Sequence, residues 1–427
     1  MRVLLVTSMV PDAGGIGAMP KLFEAQLQGL SERHEVTLLA GFGEDPGQAE
    51  AAERLLESDL DAHFVDRRRS ASPLRRWRVR AELASTWATR GWPWRVVCGA
   101  GGLQPLLDDL IRSRGFDVIA VEDNPVAVLR FPGEVPTVLT EHEAVRAPAS
   151  EWRAARLSER PLGALRAFDW RRWDAFLPSA WGRFDLVQVY CEADAEAVRG
   201  LAPGLAGRIR VNPYGIVLPP ALDPAAEQAG TILFSGTFAH LPNRDAARWL
   251  VGEIMPAIRA RHPQAQLRIA GSAPPREVLD LAGRGVEVIA DPPSMEPHLR
   301  AAAVVLAPVR SGGGMRMKVL EAIARQKAVV TTALGAEGFN CFEAEAPFVL
   351  ADDPEAIAGA TAALLEDAER RRELGLRGRQ FAIRHHSPAA WALRLEAVYE
   401  EARHRHRPPI HAHQYPGSLS SPAESGT

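Results

Sequence analysis

The densest group of residues that could do chemistry lies in a glycine-rich stretch in the second half of the chain. Three consecutive glycines, Gly312 to Gly314, follow an apolar run that is typical of a strand, and a helical pattern begins near Met315. Arg316 and Lys318 lie at this helix start. Glycines let a ligand approach the backbone, and free amides at a helix start attract anions, so the stretch predicts a phosphate-binding site. A solvated glycine turn is the alternative interpretation.

Glu321 lies one turn into the same predicted helix and completes the chemistry of a nucleotide site. Its carboxylate can accept hydrogen bonds from ribose hydroxyls, while the cations and amides at the helix start hold a diphosphate. The site would lie beyond the carboxyl end of a strand, where open parallel sheets bind their ligands. The stretch therefore favours a nucleoside diphosphate as the ligand.

The elements around this stretch indicate two α/β domains. Short apolar runs alternate with helical patterns along the whole chain, which is typical of parallel sheets built from βα units. The length of 427 residues exceeds that of most single domains. We predict an N-terminal domain over 1–215, a Pro- and Ala-rich linker over 216–230 and a C-terminal domain over 231–387. A helix over 388–405 and a disordered tail over 406–427 follow.

The predicted strands occur in two groups of five. Those of the first half are Arg2–Thr7, Glu35–Ala40, Val118–Glu122, Thr137–Glu141 and Leu186–Tyr190. Those of the second half are Thr231–Gly236, Gln266–Ala270, Val286–Ile289, Val304–Pro308 and Ala328–Thr332. The predicted helices are Met19–Glu32, Asp245–Ala260, Arg276–Ala282, Lys318–Arg325, Pro354–Leu374 and Pro388–His404.

Composition excludes several classes of protein. A formal net charge of −3 argues against a nucleic-acid partner, whose binding domain is usually basic. The cysteines Cys98, Cys191 and Cys341 are widely spaced without a metal-ligand pattern, which fits a reducing cytoplasm. The first apolar run is too short for a signal peptide, and no run reaches the ~20 residues of a membrane span. A cytoplasmic protein is therefore expected.

The second half of the chain resembles glycosyltransferase family 4. The matching pieces, in the order that the family has them, are ILFSGTFAHLPNRDAARWLVGEIMPAI, LRIAGSAPP, VEVIADPPSMEPHLRAAAVVLAPVRSGGGMRMKVLEAIA and VVTTALGAEGF. The first half matches more loosely, through VLLVTSMVPDAGGIGAMPKLFEAQLQGLSERHEVTLL. The resemblance implies the GT-B fold, in which two Rossmann-like domains face each other across a deep cleft. It also implies that the last helix crosses back onto the first domain.

The resemblance further implies a retaining, metal-independent transfer of a sugar from a nucleoside diphosphate sugar in glycan or glycoconjugate biosynthesis. Glu321 is similar to the glutamate that holds the donor ribose, and Arg316 and Lys318 are similar to diphosphate-binding residues. His142 resembles the histidine that reaches the transferred sugar from the first domain; a histidine satisfied at a strand end is the alternative. The other implied donor-binding residues are Gly236, Gly312, Gly313, Gly314, Glu337 and Gly338, and the acceptor-side loop contains Gly14, Gly15 and Gly17. No cofactor is expected.

Two departures from the family pattern leave the donor sugar undetermined. Many members have a second glutamate eight positions before the ribose glutamate, where this chain has Gly313. Many also have an Arg and Lys pair after the first strand of the second domain, where Arg244 is the only candidate cation. Two other functions therefore stay open, a nucleotide-sugar epimerase or hydrolase and a non-catalytic GT-B partner subunit. The epimerase or hydrolase would need acid–base groups, for which Glu141, His142 and Glu143 are the candidates.

Two other motifs are weaker. Asp59 and Asp61 form an Asp-x-Asp pair, but they follow a helical pattern and not the apolar strand that a metal site of this kind needs. The Gly15-Ile-Gly17 sequence lacks the third glycine of a dinucleotide fingerprint and lies seven residues after the strand. We therefore expect neither a metal ion nor a dinucleotide.

Two segments rich in Arg and Trp, 66–97 and 151–176, suggest a possible partner. Basic, aromatic helices suit a membrane surface or a lipid-linked acceptor. The alternative is that the tryptophans pack helices against the sheet, with the arginines in solvent. The acceptor, a lipid-linked glycan or a small molecule, is not identified by the sequence, and peripheral attachment to the inner membrane face is one expectation.

Overall fold

Two parallel sheets with helices on their faces form the fold. The computed structural model describes residues 1–15, 17–67, 73–142, 144, 162–339, 342 and 346–407, and only the backbone of 73–76 and 162–167. The strands are β1 Arg2–Thr7, β2 Glu35–Phe42, β3 Asp61–Asp66, β4 Val118–Glu122, β5 Thr137–Thr140, β6 Leu186–Val189, β7 Ile209–Val211, β8 Thr231–Ser235, β9 Gln266–Gly271, β10 Val286–Ala290, β11 Val304–Ala307, β12 Ala328–Thr331 and β13 Val349–Leu350.

The described helices lie before, between and after these strands. They are α1 Met19–Ser31, α2 Pro46–Leu56, α3 Pro73–Arg90, α4 Trp94–Gly99, α5 Leu103–Ser113, α6 Leu162–Trp181, α7 Glu192–Leu201, α8 Leu241–Trp249, α9 Met255–Arg261, α10 Arg276–Leu279, α11 Glu296–Ala301, α12 Met317–Ala324, α13 Pro354–Glu366, α14 Ala368–His386 and α15 Pro388–Arg405. None of these described helices is long and apolar enough to cross a membrane.

The two sheets have the same topology. The first has the order β3-β2-β1-β4-β5-β6-β7 and the second β10-β9-β8-β11-β12-β13, and their strands pair in parallel. In both sheets the order reverses beside the first strand, so the crevice for a ligand lies at the carboxyl ends there. The side chains of Val3, Leu4, Leu5 and Val6 are fully buried, as expected for a strand covered by helices on both faces. The predicted α/β fold is confirmed.

The predicted strands are present, but three further strands were not predicted. These are β3, β7 and β13, and each is short or lies at an edge of its sheet. β3 begins at Asp61, a residue that the sequence analysis assigned to the end of a helix, and that assignment was wrong. Its side chain accepts a hydrogen bond from Thr37 Oγ1 at 2.6 Å. Asp61 therefore lies at the amino end of the sheet, on the edge opposite to the ligand crevice.

Two predicted helices differ from the structure for identifiable reasons. The helix expected over 245–260 begins earlier, at Leu241, and contains a π-helical turn over Leu250–Ile254. The helix expected over 354–374 is two helices, α13 and α14, because the side chain of Asp367 accepts a hydrogen bond from the Arg370 amide and starts a new helix. Local hydrophobic periodicity does not detect such a cap in the middle of a helical pattern.

The last helix, α15, crosses back and packs against α1 of the first domain. A side chain at Gly29 would place its Cβ 2.7 Å from the Pro388 carbonyl carbon, so the two helices touch through backbone at this point. Tyr399, on α15, accepts a hydrogen bond at its hydroxyl from Gln26 Nε2 at 3.1 Å. The predicted C-terminal crossing is therefore present, and it ties the second half of the chain to the first.

Candidate functional site

The glycine-rich loop joins β11 to α12 at the carboxyl edge of the second sheet. Gly312 and Gly314 have φ angles of +90° and +77°, which side-chain-bearing residues rarely adopt. Arg316 Nη2 donates to the Gly312 carbonyl at 2.8 Å, and Nη1 donates to the Gly313 carbonyl. The helix begins at Met317, one residue before the predicted start at Lys318, because Arg316 still has an extended backbone. Arg316 therefore braces the loop that a ligand would approach.

Lys318 lies in the first turn of α12, half-buried beside the loop. Its Nζ donates to Asn243 Oδ1 at 2.7 Å and lies 4.4 Å from the centroid of the Phe234 ring. Burial, with a smaller effect of the nearby Arg316 charge, lowers the pKa of Lys318 to about 7. In the part of the chain that the structure describes, no carboxylate forms an ion pair with Lys318 or Arg316. A ligand anion would supply that missing charge.

The side chain of Asn243 connects Gly236 with Lys318, since it packs against Gly236 and accepts the hydrogen bond from Lys318. A Cβ on Gly236 would lie 2.8 Å from Asn243 Cγ, and a Cβ on Gly271 would overlap the Gly236 carbonyl. Asn243 Nδ2 also donates to the Thr237 carbonyl at 2.8 Å. The ends of β8 and β9 therefore come into backbone contact beside the predicted phosphate site.

Glu321 contacts the first domain. Its Oε1 accepts from Lys21 Nζ, in the first turn of α1, at 2.9 Å, with about a quarter to a third of each side chain exposed. The sequence analysis identified Glu321 but not Lys21, because a single cation after the first glycine loop has no spacing that marks it. An ion pair therefore links the two domains at the predicted ribose position.

His142 follows β5 at the carboxyl edge of the first sheet and is almost fully buried. Its Nε2 lies 3.1 Å from Glu122 Oε2, and the Tyr190 hydroxyl lies 3.3 Å from the same nitrogen. Burial lowers the pKa of His142, but the hydrogen bond and charge of Glu122, with the charges of Asp123 and Glu141, outweigh burial and raise it. The imidazole is thus held as a cation to higher pH than a free histidine.

The acid–base partner of His142 differs from the expected one. Glu141 is fully buried and accepts from Asn124 Nδ2 at 3.0 Å and from Trp181 Nε1 at 2.7 Å. Glu122 bonds the imidazole instead, because the last residues of neighbouring parallel strands lie side by side. The sequence placed Glu122 at a strand end but gave no reason to choose it. Glu143 lies outside the described residues.

The two domains meet at the glycine-rich loop. A Cβ on Gly314 would lie 3.9 Å from the His142 carbonyl oxygen and 3.8 Å from Asp194 Oδ2, both in the first domain. Tyr214 donates from its hydroxyl to the Met315 carbonyl at 3.0 Å. The structure therefore brings His142 to the loop that the sequence predicted as the donor site.

Glu337 and Gly338 lie in the same region. Gly338 has a φ of +85°, and a Cβ there would lie 3.2 Å from the Tyr190 carbonyl oxygen. Burial raises the pKa of Glu337 above its ordinary value, although the nearby Arg316 charge opposes this effect. Asp194, which sequence reasoning missed, is fully buried and accepts from Cys191 Sγ at 3.1 Å.

The first glycine loop follows β1, at the carboxyl edge of the first sheet. Gly14 and Gly15 both donate from their amides to Asp12, at 3.0 Å and 3.1 Å. A Cβ on Gly15 would lie 2.7 Å from Pro20 Cβ, and Gly17 has a φ of +90°. The close approach of Pro20 and the positive φ therefore account for Gly15 and Gly17, and contact of this loop with an acceptor stays a prediction. Within the described ranges, no group of three His, Cys, Asp or Glu side chains could hold a metal ion.

Comparison with known proteins gives one family match and many structural matches. Residues 229–367 match the family model described as "Glycosyl transferases group 1". No curated protein matches the sequence significantly. The chain superposes on sucrose-phosphate synthase from Thermosynechococcus elongatus with a TM-score of 0.61 at 18% identity, covering 94% of this chain and 99% of that one.

Two further structures extend the match to nearly the whole chain. TarM gives a TM-score of 0.64 at 9% identity, with 93% of this chain and 99% of TarM covered. HepE from Anabaena, in complex with UDP, gives 0.56 at 11% identity, with 94% and 100% covered. At these identities the matches show the fold alone.

The structure and these matches define the class of protein. Two Rossmann-like domains with parallel sheets, joined by a returning C-terminal helix, form a GT-B fold, as the resemblance predicted. Within it, residues 229–367 are the part that matches the glycosyltransferase group 1 family model.

Proposed function

We propose that the protein is a retaining glycosyltransferase of family 4 that transfers a hexose from a nucleoside diphosphate sugar to an acceptor. One observation carries the proposal: Arg316 and Lys318 lie together at a glycine-rich helix start, and no described carboxylate forms an ion pair with either. Buried charges are normally paired, so two neighbouring cations of this kind favour an anionic ligand. The group 1 family match over residues 229–367 and the UDP bound to HepE support the same ligand class.

The proposed donor extends from Lys318 towards His142. The diphosphate would lie against the amides after Gly312 and the two cations, and the ribose would reach the free side of the Glu321 carboxylate. The transferred sugar would then face His142, whose carbonyl lies 3.9 Å from the Cβ position at Gly314. Gly236, Glu337 and Gly338 would line the remaining walls. Which sugar fits is not fixed by these contacts.

In the proposed reaction, the bond between the anomeric carbon and the diphosphate oxygen breaks, and an oxocarbenium-like state forms. Arg316, Lys318 and the loop amides would stabilise the negative charge that develops on the leaving diphosphate. These cations stand where other transferases use a divalent ion, so the proposal includes no metal requirement. The acceptor hydroxyl attacks on the face that the nucleotide leaves, its proton passes to the departing diphosphate oxygen, and the configuration is retained.

A thermal-shift panel of nucleotides and nucleotide sugars tests this proposal. A ligand that binds only the folded state raises stability by RT ln(1 + [L]/Kd), so the true donor should raise Tm. Lys318→Ala and Glu321→Ala should each lose most of that shift, while Arg310→Gln should keep it. Arg310 lies on the same loop but is paired with Asp245 at 2.8 Å, which makes it a matched control.

The outcome of the panel separates the open alternatives. Stabilisation by a nucleotide sugar together with release of free sugar or an epimer, without transfer, would favour the epimerase or hydrolase. Stabilisation without any turnover would favour the non-catalytic subunit. The absence of a shift with every nucleoside diphosphate would contradict the proposed donor site, and EDTA should leave the shift unchanged.

We also propose that the exposed helix α3 contacts an anionic membrane surface. Trp77 is 68% exposed and Val79 48% exposed, and arginines flank them in the sequence. In contrast, Trp173 of the second basic segment and Trp181 just beyond that segment are buried and pack inside the domain, as the alternative interpretation predicted. The membrane proposal therefore rests on α3 alone.

Co-sedimentation with vesicles tests this contact. Binding to phosphatidylglycerol vesicles should exceed binding to phosphatidylcholine vesicles, and Trp77→Ser should weaken it roughly tenfold, because burying a large apolar side chain contributes about 1.5–3 kcal/mol. Leu393→Ser, at a position 55% exposed on α15, serves as the control and should change little. Equal losses in both variants would argue against α3 as the contact.

A further inference from the structure

Arg67 occupies the carboxyl edge of the first sheet, directly after β3. Its Nη2 donates to the Ser8 carbonyl, just beyond β1, at 2.8 Å, and its Nη1 donates to the Gly99 carbonyl. The guanidinium also fills the space beside Gly41 in β2, where a Cβ would lie 2.6 Å from Nη2. Arg67 thus spans the ends of three neighbouring strands on the edge that carries His142.

The charge of Arg67 has no counter-ion in the part of the chain that the structure describes. Its side chain donates hydrogen bonds to two backbone carbonyls, and no described carboxylate forms an ion pair with it. Burial lowers the pKa of the Arg67 guanidinium. The nearby Cys98 side chain has a smaller, opposite effect on that pKa. A guanidinium has five N–H donors, so several remain available for a ligand. A half-buried cation in this state is stabilised by an incoming anion.

A chain of polar contacts joins Arg67 to the rest of the site. Ser8 accepts from Arg67 at its carbonyl and donates from its hydroxyl to Asp123 Oδ2 at 3.1 Å. Asp123 also accepts from Arg95 Nη2 at 2.9 Å, so the charge of Arg95 is balanced there. Asp123 follows Glu122, which bonds His142. Of the two arginines in this network, Arg67 is therefore the one without a described ionic partner, on the same sheet edge as the imidazole.

We infer that Arg67 forms an oxyanion subsite in the first domain and that the acceptor carries a carboxylate or phosphate group there. This inference rests on the proposed function, since it names the acceptor class of that same reaction. The planar fork of a guanidinium matches the two oxygens of a carboxylate or phosphate, and such charge-assisted hydrogen bonds are stronger than neutral ones. The anion would be held at Arg67 while the attacking hydroxyl reaches towards the sugar at His142.

A binding comparison with matched sugars tests the subsite. Glucose, glucuronate and glucose 6-phosphate are titrated by thermal shift at constant ionic strength, in the Lys318→Met background, which weakens anion binding at the glycine-rich loop. At least one of the two anionic sugars should bind more tightly than glucose, and the comparison between them separates a carboxylate from a phosphate. Arg67→Gln should raise the Kd of that sugar about tenfold or more.

The controls separate this inference from the donor proposal. Arg112→Gln removes a cation that is 72% exposed on α5 and should leave the Kd of the anionic sugar unchanged. Arg67→Lys keeps the charge but not the planar guanidinium, so its Kd for the anionic sugar should lie between those of wild type and Arg67→Gln. Equal binding of all three sugars by the chain that retains Arg67 would overturn the subsite, even if Arg67→Gln failed to fold. If no nucleotide raised Tm in the donor panel, the proposed function would be overturned instead. The comparison of Kd values for the three sugars could still be interpreted.

Discussion

Replacing Lys318 with methionine is expected to lower kcat/KM for sugar transfer by about a hundredfold or more, because charge on the leaving diphosphate loses one of its two cations. Methionine keeps an unbranched apolar side chain as far as Cε, so the fold should be preserved. Arg310→Gln, on the same loop, should stay within about twofold of wild type, since charges outside a site have small effects. Transfer rates with the donor found in the panel provide the measurement.

The pH dependence of donor binding gives a second test of the role of Lys318, again by comparing wild type with Lys318→Met. In the empty site the pKa of Lys318 is about 7, so above that pH the amine is neutral and attracts a diphosphate less. Donor affinity should fall about tenfold for each pH unit above 7 while the bound lysine stays protonated, and binding should take up a proton. Calorimetry in two buffers of different ionisation enthalpy measures that proton. The Lys318→Met chain should show neither effect.

Donor affinity should fall as pH rises above 7, but the stability of the protein without donor should change in the opposite direction. Because the unfolded chain keeps the proton on Lys318 to higher pH than the folded chain, unfolding takes up a proton between pH 7 and the ordinary lysine pKa. The contribution of Lys318 to the free energy of unfolding therefore rises with pH in that window. A wild-type affinity that is unchanged from pH 6 to 9 would contradict the role given to Lys318.

Gly271→Ala is expected to destabilise the protein by about 3 kcal/mol or more, the range of severe backbone and packing conflicts. The added Cβ would overlap the Gly236 carbonyl oxygen and lie 2.8 Å from its carbon, so the ends of β8 and β9 would have to separate. Neither group is a flexible side-chain end that could move away. Nucleotide binding should be lost as well, because Gly236 lies beside Asn243 and Lys318.

Gly252→Ala is the matched control for this second prediction. Gly252 lies in the π-helical turn without a positive φ, and no atom outside its own helix backbone lies within 4 Å of a Cβ there. Alanine there should change the free energy of unfolding by no more than about 1 kcal/mol, in the stabilising direction. Urea denaturation of both variants makes the comparison. Equal stability of the two would show that the strand ends at Gly236 and Gly271 are not packed as described.

Sequence patterns were sufficient to predict the fold class, and they also predict an anion site in the second domain. Strands such as β1 and β8 are continuous apolar runs because both faces are covered, and such runs are visible without any partner. The glycines and cations from Gly312 to Lys318 are local in sequence, so their spacing alone indicated an anion site. Edge strand β3 escaped detection because its side chains are half-exposed and its acidic start resembles a helix end.

Only the tertiary structure decided which groups meet. Glu122 reaches His142 from a neighbouring strand, and Lys21 reaches Glu321 from the other domain at a separation of 300 residues. Arg67 gains its position from the ends of three strands and has no motif of its own. Such contacts depend on the strand order and on how the domains pack, which hydrophobic periodicity does not encode. Local patterns thus predict the helices, the strands and the glycine-rich loop of the candidate site. Long-range packing brings the other residues of that site to it.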